Sequence, residues 1–546
     1  MIEQFLKLNF LNKLLIIISF LLLLIIFIQN FIFSSSFDYL IYRGVDDYAF
    51  QKSLRNYHEA LLSFKLDKIF KMYDYGYGWI FWFIHTILTF PFYLISLTGS
   101  DTLLISSARN ISLLFSIGSV FILYKIIYFY TKDNFLSLAA SLIFITFPYF
   151  AYSAMSFRTI AQVQFFCMLA FYLSLIYRVD NGKLKYIAYS IAAALGTKLT
   201  AIFITPLLAM IVLNRYHWKF DKKTYHDFIY FLKYFIPSTI FFINPSWFLA
   251  PFHPSLFTKH IGYLSLVSST ATTNIGFSHS FFDDFASAFF TSYLSIYVLI
   301  LFFIGLLLKF VKDFIAKEEL KYDFLYIFVF VGLLSIFIAS YVKINYTYMT
   351  NYFYSFSFLL LLPIVLLKDF KKSIKIIITL LLIVLNTYHN FHPIKKWYFY
   401  HYDRANSDMI VNRIKTHKEL AGIIGPPNQQ LSILVDYRAP FVYSNFRKNI
   451  YLGVIFDNIS IIHNEAKNQQ KIIDYIILSK ESRLLLNDLE FEEDVSAADA
   501  DARNQLISEK AIMDKLIKEG LLGNNLYDRV YEKSNIIMYK LRDKSS

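Results

Sequence analysis

Long apolar runs separated by short charged linkers fill the chain up to about residue 391. A helix that crosses a bilayer needs roughly 20 mostly apolar residues. Runs of that length, or nearly so, cover 14–33, 78–98, 103–128, 135–153, 159–177, 186–213, 227–249, 291–311, 323–341, 351–368 and 373–391. The run 14–33 exceeds a signal-peptide core and no small-residue cleavage site follows it, so it reads as a retained first span.

Two runs decide the topology. Suppose that 78–98 lies on the membrane surface and that 186–213 is two spans broken at Gly196-Thr197-Lys198. The N-terminus is then cytoplasmic and the basic linkers share that side: Lys125 and Lys132, Arg178 to Lys185, Arg215 to Lys223, Lys309 to Lys321 and Lys368 to Lys375. The opposite loops after the first hold only Arg158, Lys198, Lys259 and Lys343, the asymmetry that the positive-inside rule demands. If 78–98 crossed instead, Asp46 and Asp47 would face the cytoplasm. The 34–77 loop, with six basic and six acidic residues, does not discriminate. The interfacial arrangement is adopted, with eleven spans and with the first loop and the C-terminus outside.

Within the first loop, Phe50, Leu54, Tyr57 and Leu61 recur at helical spacing, predicting an amphipathic helix over 46–62 on the membrane surface. Asp46 stands at the edge of that stripe, and Asp47 heads a second row with Gln51 and Arg55. Two acids in a first helical turn also complement the helix dipole, which is the purely structural alternative. The segment Tyr73-Asp74-Tyr75-Gly76-Tyr77-Gly78-Trp79 breaks this helix from the next; its glycines permit close backbone approach and its aromatics suit an interface. The 250–290 loop is too long for a simple connector and reads equally as a substrate lid or a packed external cap. From 392 the composition turns polar, and the runs 431–435, 472–478 and 536–539 predict strands of a small α/β domain over 392–546. The acidic stretch Asp488 to Asp501 reads as a solvated face.

Composition narrows the class. Of 546 residues 56% are apolar and 19% aromatic, which excludes an ordinary soluble enzyme. A net charge of +13 could attract nucleic acid, but the cations sit in linkers and form no basic domain. The single cysteine, Cys167, excludes an intrachain disulfide and a Cys-rich metal site. There is no phosphate loop, no His/Glu metal spacing and no serine elbow. No internal repeat is evident.

The ordered set of an acidic pair after the first span, a Gly-aromatic segment opening an apolar helix, Ser106-Ser107-Ala108-Arg109-Asn110 before the next span, and Gly196-Thr197-Lys198 in a run ending at Pro206 resembles the GT-C membrane glycosyltransferases. The protein O-mannosyltransferase-like group and the lipid A aminoarabinose transferases are the nearest in pattern. The resemblance covers about 14–215; beyond it only the layout agrees. It implies a polytopic helical domain over 1–391, with interfacial helices in the 34–102 loop, and transfer of a sugar from a polyprenyl-phosphate carrier to an acceptor outside the membrane. The family's first-loop acid falls on Asp46 or Asp47. A Lys-Pro that relatives place before the apolar helix is replaced by Asp74-Tyr75-Gly76, and a Pro-Asp after the third span is Arg158-Thr159 here.

The chemistry follows from those residues. A hydroxyl is a poor nucleophile until a carboxylate accepts its proton, and direct displacement with one base inverts the anomeric centre. Asp46 is the candidate base, with Asp47 orienting it or binding the acceptor. Two carboxylates this close can raise one of the two pKa values, so the roles can exchange. The leaving phosphate needs cations, and Arg43, Arg55, Arg158 and Lys198 are the candidates. Lys198 would lie about 20 Å along its half-span, a depth at which a lone ammonium needs a partner or snorkels outwards. Arg158 is equally a span-end residue. Asp74, Tyr75, Tyr77 and His253 are candidates for the cavity wall. No cofactor is required, although adjacent acids can hold a divalent cation. The Ile, Lys, Phe and Asn usage points to a bacterial plasma membrane and an undecaprenyl carrier, with glycolipid, polysaccharide or protein as acceptor. A transporter or flippase of a lipid-linked glycan is the rival, and a scaffold for envelope assembly the third class.

Overall fold

The computed structural model describes residues 8–32, 45–70, 78–97, 102–177, 181–205, 222–249, 254, 258, 357–391, 395, 408–425, 431–436, 439, 441, 450–451, 463, 472–480, 500–533 and 535–542. The chain divides into two compact units, one formed by 1–32, 46–98 and 103–401 and the other by 33–45, 99–102 and 402–546.

The first unit is helical. Its helices are α1 (Phe10–Ile32), α2 (Val45–Leu62), α3 (Trp79–Ser96), α4 (Thr102–Thr131), α5 (Asn134–Ile145), α6 (Pro148–Met155), α7 (Ile160–Ile176), α8 (Leu184–Thr197), α9 (Lys222–Ile243) and α10 (Lys372–His389). Among the described residues α1, α3, α4 and α10 are long and apolar enough to cross a membrane, and α5 with α6 forms a fifth candidate bent by 69°. The unit is thus that of a multi-pass membrane protein.

The expected 135–153 run is interrupted, and the cause is local. Pro148 opens α6, and the residue before a proline avoids the helical region, so Phe147 is extended at ψ 129°. The bend residue Thr146 accepts a hydrogen bond from Asn386 Nδ2 at 3.0 Å, tying the kink to α10. The expected 186–213 run also breaks: α8 stops at Thr197, Lys198 is extended (φ −157°, ψ 129°), and a 3-10 helix follows over Leu199–Ile204. The expected 351–368 run winds as a buried 3-10 helix, Ser357–Asp369, containing Pro363. The runs 291–311 and 323–341 lie outside the described residues, as do nearly all of the 250–290 loop and the whole 481–499 stretch before the last helix.

Polar side chains mark the two ends of the bundle. Asn30 of α1 donates to Asn110 Oδ1 of α4 at 3.0 Å and to the carbonyl of Ala154 in α6 at 3.2 Å. At the opposite end Asp133 caps α5, accepting from Phe135 N at 2.8 Å, and pairs with Lys375 of α10. Between them, packing relies on small residues: Ala192, Ala193, Ala194 and Gly196 are buried along α8, which lets α7 and α9 approach closely.

Helix α3 is placed by both of its ends. Gly78 N–H, at its start, donates to the carbonyl of Thr197 at the end of α8 at 3.3 Å. Near its other end Tyr93 shares one buried cluster with Leu104 and Ala108 in the first turns of α4. This 18-residue helix is about 27 Å long.

The second unit is a small sheet domain. Its strands are β1 (Ile433–Val435), β2 (Ile450–Tyr451), β3 (Tyr475–Ser479), β4 (Leu521–Leu522), β5 (Asn525–Lys533) and β6 (Ile536–Leu541), in the order β2-β1-β3-β6-β5-β4. β1 pairs in parallel with β2 and β3, and the remaining pairings are antiparallel. Helices α11 (Asp408–Ile424) and α12 (Ala500–Glu519) accompany it, α12 turning Met513 and Leu516 onto Ile476, Leu478 and Tyr539. Two carboxylates close the β1–β3 pair, Asp474 accepting from Ser432 N at 2.6 Å and buried Asp436 from Ser479 N at 3.1 Å. The three runs expected to be strands all are, because each puts an apolar stretch onto this core.

Candidate functional site

The amphipathic helix expected over 46–62 forms as α2, and its stripe is buried at Leu54 and Tyr57, which pack on α3. Tyr57 stacks on Trp82 with ring centroids 6.0 Å apart. Asp46 and Asp47 occupy the first turn of this helix, and Arg55 is half-buried on it. The same face carries His58, which the periodicity at 50, 54, 57 and 61 passed over although it follows Leu54 by one turn.

His58 is fully buried and its ring lies 4.5 Å from that of Tyr93. Its Nε2 sits 3.2 Å from the Thr86 carbonyl and 2.9 Å from Thr89 Oγ1, whose hydroxyl donates to the His85 carbonyl at 2.6 Å. Both partners thus accept, so Nε2 carries the proton. His58 Nδ1 is buried without a hydrogen-bond partner among the described residues. Burial first, opposed by the Thr86 carbonyl and aided by the neighbouring Arg55 charge, lowers the His58 pKa to about 3.

That shift has a sign. An unfolded histidine titrates near 6.5, so between about 6.5 and 3 the unfolded chain binds a proton that folded His58 refuses. The contribution to stability is complete above that window and is lost as pH falls through it, at up to about 1.4 kcal/mol per pH unit. We expect amide exchange of α2 and the fluorescence of Trp82 to report loosening of α2 from α3 on acidification from pH 7 to 4. His58→Gln keeps a donor but cannot titrate, and should flatten that response; an unchanged response would show that another group controls the contact.

Helix α3 continues onto two further segments. Phe157, in the turn between α6 and α7, packs on Phe81 at 5.7 Å and on His85 at 4.9 Å. The next residue, Arg158, is half-buried with its guanidinium 5.5 Å from the Tyr152 ring centre. At the start of α3, Gly78 meets Gly196: a Cβ built on Gly78 would lie 1.7 Å from the Gly196 carbonyl oxygen, and one on Gly196 would lie 2.4 Å from Phe242 Cβ of α9. Trp79 is held by a hydrogen bond from its Nε1 to the Ile69 carbonyl at 2.9 Å and by Phe241 at 5.1 Å. The Gly-aromatic segment and the Gly196-Thr197-Lys198 break, distant in sequence, are therefore one junction.

Of the expected site residues, the fold gathers the segments bearing Arg55, Arg158 and Lys198 around α3. Arg43, Asp74, Tyr75, Tyr77 and His253 lie outside the described residues. Arg109, from the 106–110 motif, is buried in α4, one residue before the Asn110 that bonds Asn30. Among the described residues no group of three or more His, Cys, Asp or Glu could hold a metal ion. Thr86, Thr89 and Gln162 gave no sequence signal, since isolated polar residues in apolar runs look alike until packing buries them.

No protein-family model matches the chain, and no curated protein matches it. Among solved structures, the apo oligosaccharyltransferase of Archaeoglobus fulgidus aligns at 10% identity and a TM-score of 0.45, over 89% of this chain and 72% of that one. The same enzyme tethered to an acceptor peptide containing the NVT sequon aligns at 11% identity and a TM-score of 0.44, over 89% and 72%. Likenesses this distant leave the activity to be argued from the chain's own residues.

Proposed function

We propose that the protein is an integral-membrane glycosyltransferase that moves a sugar from a polyprenyl-phosphate donor to an extracytoplasmic acceptor with inversion, with Asp46 as general base and Asp47 orienting it or binding the acceptor. The observation that carries this reading is the convergence on α3 of the acid-bearing α2, the Arg158 turn and the Lys198 break at one end of the apolar bundle. On this reading acid and cations stand where a lipid phosphate leaves the bilayer and its sugar meets water. Arg43, Arg55, Arg158 and Lys198 serve the phosphate, and Asp74, Tyr75, Tyr77 and His253 the cavity wall. A divalent cation is admissible beside the acid pair but not needed for the step.

Helix α3 lies in the interface, with the first loop and the domain over 392–546 outside, a reading that the one-sided distribution of the basic linkers supports. The carrier is undecaprenyl phosphate in a bacterial plasma membrane. A second reading, a flippase of a lipid-linked glycan, gains from the two interrupted helices, at Thr146-Phe147 and at Lys198, because transporters build substrate sites from broken helices.

Reconstitution separates the two. Purified protein in vesicles, given a panel of polyprenyl-phosphate sugars and crude envelope acceptors, should release polyprenyl phosphate as the donor is consumed. Movement of labelled lipid between leaflets without consumption would replace the enzyme by the flippase.

A further inference from the structure

Inside an apolar bundle, a neutral amide and a hydroxyl are held where they satisfy each other. Gln162 is 1% exposed in the first turn of α7, and Thr197, at 0%, ends α8. Gln162 Nε2 donates to Thr197 Oγ1 at 2.9 Å, and that hydroxyl donates to the Ala193 carbonyl at 2.8 Å. The Thr197 carbonyl accepts from Gly78 N–H at 3.3 Å, so Thr197 is anchored from three helices. Gln162 Oε1 has no partner among the described residues, so on those contacts an apolar side chain of similar size would suit the site as well. On those contacts stability is not what this glutamine supplies.

Position is. Arg158 precedes Gln162 by four residues, and Lys198 follows Thr197 directly. We infer that the Gln162–Thr197 hydrogen bond is a clamp that sets the Arg158 turn against the Lys198 break, so that the two cations receive the phosphate of a polyprenyl phosphate together. Gln162 and Thr197 are positioning residues and touch no substrate. Charge-assisted contacts to phosphate are short and directional, and a displacement of about 1 Å is enough to weaken them severely. The inference rests on Arg158 and Lys198 being phosphate ligands, as proposed above.

The test uses the full chain in nanodiscs, with undecaprenyl phosphate as probe, undecaprenol as the phosphate-free control, and thermal unfolding of the unliganded protein alongside. Gln162→Leu and Thr197→Val should each weaken phosphate-lipid binding about tenfold. Their combination should be no weaker than either alone, Thr197→Ser should bind as the parent does, and Gln162→Leu should unfold at no lower temperature. Parent-like binding by Gln162→Leu or Thr197→Val, while Arg158→Ala and Lys198→Ala lose it, would overturn the clamp and leave the phosphate reading standing. Parent-like binding by Arg158→Ala and Lys198→Ala would remove the phosphate reading itself. Should Gln162→Leu not fold, equal affinities for Thr197→Val and Thr197→Ser would overturn the clamp on their own.

Discussion

Asp46→Asn is expected to lower turnover by roughly 10²–10⁴-fold, the range that a positioned general base supplies, with donor binding and folding retained. The asparagine keeps the shape of the side chain and its place in the first turn of α2 but cannot accept the hydroxyl proton. Asp47→Asn should act mainly on the apparent affinity for acceptor. Single-turnover rates with a polyprenyl-phosphate sugar, measured beside equilibrium binding of the donor, separate the two effects. A larger turnover loss in Asp47→Asn would exchange the roles. Parent-like turnover in both variants would end the catalytic reading of the acid pair.

Gly78→Ala is expected to be among the most damaging single changes in the bundle, costing more than about 4 kcal/mol or preventing assembly of α3. The backbone of Gly78 is ordinary, at φ −72° and ψ 160°, so conformational freedom is not the issue. Space is: the added Cβ would stand 1.7 Å from a backbone carbonyl, and no rotamer change can relieve a clash with main chain. Relief requires α3 to move away from α8, which breaks the Gly78 N–H bond to Thr197 and separates the Trp79 cluster from Phe241. Gly196→Ala, blocked by Phe242, should act in the same direction. Monodispersity and melting temperature in detergent would check this; parent-like values for Gly78→Ala would show that the α3–α8 junction is looser than the contact distances require.

Much of this architecture was legible in the residues alone, for reasons that differ between elements. Apolar runs long enough to cross a bilayer announce α1 and α4 because a membrane demands length and hydropathy, both local properties. The stripe through Leu54 and Tyr57 announced α2, because period is also local, and short apolar runs in a polar tail announced β1, β3 and β6. Glycine marked the break at Lys198 through its effect on neighbouring backbone, whereas 135–153 was expected as a continuous span and the bend before Pro148 came only with the structure. Only the tertiary structure decided that Gly78 meets Gly196, that Gln162 meets Thr197, and that His58 rather than Leu61 is sealed against α3. Those pairings join segments tens to more than a hundred residues apart, and a polar residue in an apolar run looks the same whether it will face lipid, water or a partner. Periodicity assigns a residue to a face; which face of which helix it meets is set by packing, and packing is where the candidate site was assembled.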